Sequence, residues 1–247
     1  MRAISRCIWS IVMTSDLRFA SGDERDWPLV VVRRRGAKGM RLSVDPRDAT
    51  VRLSLPLRAP LSPALRWAAG KRGWVEQQLA KLPSPQPIVP GMRFLLGGDA
   101  VVIDWNAAYP RRPHRIADRL CVGGPCEQMS ARVLRFLKRT ALETLDRETR
   151  ALAAANGITI ARVGIGDPKS RWGSCAATGD IRYSWRLILA PDDVRRATVA
   201  HEVAHRVHMN HGPDFHALVA ALHNADPQLS NRWLRTNGAA LHWFGRG

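Results

Sequence analysis

Two imidazoles four positions apart around a carboxylate, His201-Glu202-Val203-Ala204-His205, constrain this chain more than any other five residues in it. An α-helix turns once every 3.6 residues, so this spacing brings both His side chains to one face, where they can share a tetrahedral metal ion at ~2.0–2.1 Å. Glu202 then sits beside the open coordination position and is the expected general base. With 8 His and 6 Glu among the 247 residues, chance supplies only about 0.006 such arrangements. The residues upstream agree with a helix, since Asp192 and Asp193 follow Pro191 and put acidic groups where a helix dipole favours them.

A third ligand has to come from His208, His211 or His216. His208 falls on the same helical stripe, but at 1.5 Å per residue its Cα is ~10 Å along the axis from His201, so it is expected beside the site or on the surface. His211 lies in Asn210-His211-Gly212-Pro213, where Gly and Pro stop the helix and let the chain turn back, and it is the expected ligand. His216, in the renewed helical spacing that follows, is the outside candidate. The spacing is that of metzincin proteases, except that His208 stands where those enzymes have glycine. Three histidines leave a fourth position for water, which suits a catalytic zinc site, although three imidazoles also accept other divalent ions.

The pattern elsewhere is α+β. Residues 1–28 show little periodicity and read as a loosely attached arm. Residues 29–106 read as a β-rich part with one helix: Leu29 to Val32 is rich in β-branched residues, Met40, Leu42 and Val44 alternate, and Val51, Leu53 and Leu55 alternate again after the turn residues Asp45-Pro46-Arg47-Asp48. The helix is expected from Ser62 to Leu82, with Trp67 and Trp74 in the core, and a hairpin over Phe94 to Trp105 about Gly97-Gly98. Residues 107–127, rich in Pro, Arg and Gly, read as a connector. Residues 128–247 read as the catalytic domain, with a helix opened by Ser130 and closed by Asn156-Gly157, strands over Ile158–Ile165 and Asp180–Leu189, and then the His-bearing helix.

The charge is high: 38 Lys plus Arg against 21 Asp plus Glu leave +17. That surplus suits a polyanion or nucleic acid as partner, but only Arg33-Arg34-Arg35 form a run and the rest are dispersed. The four cysteines, Cys7, Cys121, Cys126 and Cys175, make no framework and are expected as reduced thiols. No apolar run approaches the ~18 residues of a membrane span, and Ile8 to Met13 is too short for a signal-peptide core, so no membrane role and a cytoplasmic location are expected.

Three further segments carry a resemblance. Ser170-Arg171-Trp172-Gly173-Ser174-Cys175, the run Ile181 to Pro191, and the block from His201 to His211-Gly212-Pro213-Asp214-Phe215 together resemble the YgjP-like family of metal-dependent hydrolases, relatives of SprT-type zinc metallopeptidases. The likeness runs from about Leu29 to Phe244. It implies a zincin-like catalytic domain behind a β-rich N-terminal part, with His201, His205 and His211 as metal ligands. A zinc-dependent peptidase acting on peptide or protein is then the leading expectation, with Glu202 passing a proton from water to the leaving amine. A tetrahedral oxyanion needs another donor, and Arg171, then Tyr183 and Arg186, are the candidates. The strand over Asp180–Leu189 is a further candidate for pairing with an extended peptide. The alternatives are a nucleotide pyrophosphatase using the same site, where arginines would hold phosphates, and a DNA-associated protease or nucleic-acid-binding module.

Overall fold

The computed structural model describes residues 11–13, 18–19 and 27–246. The chain divides into two units, Met1–Ser84 and Pro85–Gly247, each with its own apolar core.

In the first unit, β1 (Ile11–Met13), β3 (Trp27–Arg34), β5 (Val51–Pro56) and β4 (Arg41–Val44) lie in that order, with β2 (Arg18–Phe19) also paired to β3. The described parts of the expected N-terminal arm are therefore strands, and the rest of it lies outside the described residues. Alternation in β5 works as expected: Val51, Leu53 and Leu55 have no exposed surface and meet Ala64, Ala68 and Val75 of α1 (Leu61–Ala69) and α2 (Arg72–Leu79). The turn before β5 is built by Asp45 and Asp48, whose carboxylates accept from the backbone N–H of Arg47 and Thr50, each at 3.0 Å. The single helix expected over Ser62–Leu82 is two, because the chain breaks at Gly70-Lys71. Ser62 is not the cap; its hydroxyl instead accepts from the Arg66 guanidinium at 2.8 Å. Trp67 packs on the core, while Trp74 stays 42% exposed.

The second unit begins with a sheet in the order β6 (Arg93–Leu96), β7 (Asp99–Trp105), β9 (Arg119–Val122), β8 (His114–Ile116). The hairpin β6–β7 turns at Gly97 and Gly98, both at positive φ, as the sequence predicts. Its apolar residues Leu96, Val101 and Ile103 share one core with the long helix α3 (Met129–Ala155), so this hairpin belongs with the His-bearing part and not with residues 29–84. The passage 107–127 is more than a connector. It holds β8 and β9, the latter with Leu120, Cys121 and Val122 buried side by side against β7, too short a run to stand out among its Pro and Arg neighbours.

Helix α3 presents Met129, Val133, Leu137, Ala141 and Leu145 at every fourth position to this core. A second sheet follows in the order β10 (Arg162–Gly166), β12 (Asp180–Ser184), β11 (Gly173–Cys175). The strand expected over Asp180–Leu189 stops at Ser184, whose hydroxyl accepts from the Arg186 N–H, and Trp185–Leu189 continue as a fully buried 3-10 helix. Because β12 is central, with β10 parallel on one side and β11 antiparallel on the other, it has no free edge to pair with a peptide. Three helices close the unit: α4 (Asp192–Ala204), α5 (Pro213–His223) and α6 (Pro227–Leu241). Among the described residues no helix is long and apolar enough to cross a membrane.

Candidate metal centre

Helix α4 opens with Asp192 and Asp193 in its first turn and runs into the core on Val194, Ala197, Val199, Ala200 and Val203. Its last turn carries the two histidines. His201 lies on the helix and His205 is its C-terminal capping residue, with ring centroids 4.8 Å apart. The helix stops at Ala204, ahead of the Gly-Pro pair expected to end it, so His208 lies beyond the helix in the turn that runs through Asn210-His211-Gly212, and Pro213 starts α5. The turn returns His211 to the pair, 5.2 Å from the His201 ring and 4.7 Å from that of His205.

The ligating nitrogens of His201, His205 and His211 all lie within 4.8 Å of one another, and Nε2 of His211 is 3.4 Å from Nε2 of His201. Two nitrogens bound to one tetrahedral ion at ~2.05 Å would stand about 3.35 Å apart, so His201 and His211 already have the separation of a shared metal, and the third imidazole lies near enough to close on it. Nδ1 of His205 is 3.0 Å from the His208 carbonyl oxygen, which leaves its other nitrogen free for coordination when Nδ1 carries the proton. Thus His208 contributes through its backbone, and its imidazole is not part of the cluster. His216 is also outside it, 6.4 Å from the His211 ring, and lines the neighbouring cleft. Burial, and then the charges of His205, His211 and His216, hold His201 down to about 4, so the neutral ring that ligates is the form present near neutrality. Burial likewise lowers His205.

Beneath the three rings lies Phe215 of α5, 1% exposed, with centroids 4.9, 4.5 and 4.7 Å from His201, His205 and His211. Glu202 points from α4 toward β11 and is 4% exposed. Gly173 makes that placement possible, because a Cβ there would overlap the Glu202 carboxylate. Burial pushes Glu202 up to about 7, against the opposing pull of the Arg171 charge. Arg171, His201 and Glu202 share a cleft of about 790 Å³, with α6 as its other wall.

A family model for the YgjP-like metallopeptidase domain matches residues 38–237. The chain belongs to the YgjP-like family. No curated protein and no solved structure gives a significant match. As a YgjP-like metallopeptidase the chain is a metal-dependent peptidase in general terms, and its three imidazoles could hold a divalent ion.

Of the three oxyanion candidates in this YgjP-like chain, only Arg171 reaches the cleft. Tyr183 has no exposed surface, and its hydroxyl is 3.0 Å from that of Thr149 on α3. Arg186 is buried and fully engaged: it donates to both carboxylate oxygens of Asp167, at 2.7 and 3.0 Å, and to the carbonyls of Leu241 and Phe244. Proximity in sequence to the metal helix misplaced both residues, because β12 and the 3-10 helix direct them into the core. Neither Gly173 nor Phe215 has a local sequence signal for its place here, because His211 lies ahead of the Gly212 cap of α5 and no helical spacing links it to Phe215.

The Arg186 pair has a measurable pH signature. Burial would raise Asp167, but hydrogen bonds and charge from Arg186 outweigh it and hold the carboxyl below the ordinary aspartate range. A depressed carboxyl stabilises the fold above its unfolded pKa of ~3.9, and this contribution fades as pH falls through the lower folded value. Asp167→Asn should cost about 1–2 kcal/mol at pH 7. That is less than a fully buried pair, because Asp167 is half exposed and Arg186 keeps two carbonyl acceptors. Denaturant titrations should show the difference from wild type shrinking below pH 4, and a cost that does not change with pH would contradict the pairing.

Proposed function

We propose that the chain is a zinc-dependent peptidase in which His201, His205 and His211 hold the ion and Glu202 is the general base. The observation that carries this reading is the cluster of three imidazole nitrogens next to a buried carboxylate that opens onto the same cleft. When bound, the ion would lower the pKa of a water toward ~7 and polarise the scissile carbonyl. The chain supplies the remaining groups. Glu202, held near neutrality by burial, takes a proton at its carboxylate and returns it to the leaving amine. Arg171, on the cleft wall close enough for its charge to act on Glu202, offers a guanidinium to the oxyanion that develops on the substrate carbonyl. Phe215 and the His208 carbonyl position the ligands and take no part in the chemistry.

Zinc is preferred over magnesium by donor type, since three neutral imidazoles suit a borderline-soft ion and magnesium prefers oxygen. A second reading, hydrolysis of a phosphoanhydride, is favoured by the arginines on the cleft wall, Arg171, Arg232 and Arg235. Against it, the only carboxylates lining the cleft are Glu202 and Asp226, and Asp226 is occupied in capping α6.

Purified protein is expected to carry about one zinc ion per chain, to cleave members of an unbiased peptide library, to lose that activity to 1,10-phenanthroline and to regain it with zinc. Zinc-loaded protein that leaves every peptide intact and releases phosphate from nucleotides would move the assignment to the second reading.

A further inference from the structure

We propose that the cleft beside the metal centre selects peptides with an acidic side chain close to the scissile bond, and that Arg232 and Arg235 of α6 are the residues that bind it. This rests on the peptidase reading above and adds the substrate class. Helix α6 lays Gln228, Asn231, Arg232 and Arg235 along the cleft. Those positions are spaced i, i+3, i+4 and i+7, so one polar stripe of the helix faces the chamber that holds His201 and Glu202.

Two features distinguish this wall from an ordinary solvated face. The first is that Arg232 and Arg235 line the same chamber as Arg171, with no carboxylate paired to either of them among the described residues. Like charges three positions apart on a helix repel, and a bound anion between them would relieve that. The second is that the wall is fixed in place. Asp226 caps the helix by accepting from the Gln228 N–H at 2.9 Å, and the Ser230 hydroxyl donates to the Asp193 carbonyl at the start of α4, 3.4 Å away. At the far end, Gly238 lets the Trp172 indole close in, since a Cβ there would lie 2.7 Å from Cζ2 of that ring. Trp172 adjoins Arg171, so both basic walls are anchored to the elements that carry the metal centre.

Guanidinium groups match carboxylates in a two-pronged geometry, and here three of them face a chamber in which Glu202 is the one carboxylate not used to cap a helix. The backbone of a peptide held at the metal would run past α6, and an acidic side chain could then reach Arg232 or Arg235. A lysine side chain in the same place would meet repulsion.

The test uses two fluorescent peptides identical except for Glu or Lys on the residues flanking the cleavable bond. With wild-type, zinc-loaded protein, kcat/KM is expected to be at least ~10-fold higher for the Glu peptide at low salt, one decade being about 1.4 kcal/mol. Arg232→Glu/Arg235→Glu should reverse the order, and the milder Arg232→Gln/Arg235→Gln should level it; both positions are exposed, so the fold is retained. Peptide cleavage without a Glu preference, or a preference unchanged in both double variants, overturns the inference and leaves the peptidase reading standing. If no peptide is cleaved, anisotropy binding still decides. Glu-peptide binding that is lost in the charge-reversed variant supports the anion site apart from the peptidase reading. Tighter binding of ATP than of the Glu peptide, lost in the same variant, overturns the peptide assignment.

Discussion

Glu202→Gln should leave the zinc content unchanged and lower peptide kcat/KM by about 10²–10⁴-fold, the usual worth of a positioned general base. The side chain is 4% exposed and lies against the backbone at Gly173, so an amide of the same shape fits without repacking. What the amide lacks is a site that can take a proton from water and deliver it to the departing nitrogen. Stability should not fall. Burial raises the Glu202 carboxyl to about 7, and a carboxyl whose folded pKa is raised weighs against the fold once it ionises, so a permanently neutral amide removes that penalty. The melting temperature at pH 8 should therefore equal or exceed that of wild type. Two results would count against the assignment: activity within tenfold of wild type, which would place the base elsewhere, and loss of zinc, which would make the carboxylate a ligand.

Phe215→Ala should be the most damaging single change in the centre that replaces none of the three histidines. The ring is 1% exposed, belongs to the main core of its unit and contacts all three imidazoles. Removing a buried phenylalanine costs about 3–5 kcal/mol through lost transfer energy and the cavity left behind. Here the cavity would open directly under the rings, freeing their rotamers, so zinc affinity should fall together with stability. Phe215→Leu separates the two effects, because it refills most of the volume and should recover most of the stability, but a branched aliphatic cannot reproduce the flat surface on which the His205 ring stacks. Competition with a chelating indicator, alongside denaturant titration, reads both quantities. Zinc affinity unchanged in the alanine variant would show that the ring supports the fold without positioning the ligands.

The convergence of three histidines was legible in the sequence because its geometry is local. Four residues on a helix bring His201 to His205, and the turn ahead of Gly212-Pro213 brings back His211, six residues on; neither requires knowledge of a distant segment. Alternation likewise disclosed β5, and the four-residue rhythm of apolar positions disclosed α3. The cleft was not legible, because its walls come from four separated stretches: the loop with Arg171, the second half of α4, α5 and α6. Arg186 and Tyr183 show the same limit from the other side. Their residue types suit an oxyanion site, and only tertiary packing reveals that Asp167 and Thr149 have already taken their polar groups. The grouping of β6 and β7 was hidden too, since a hairpin carries no local sign of which helix will cover it.

All three imidazoles fall between residues 201 and 211, and that compactness has a thermodynamic side. Bringing together groups so near in the chain costs little loop-closure entropy, in contrast to sites whose ligands come from remote segments. An unfolded chain would therefore gather them at less cost than remote ligands, and an ion bound by both states stabilises the native one only by the ratio of the two affinities. Such a centre is a poor staple. Cohesion of this unit rests instead on the long-range packing of α3 against two sheets.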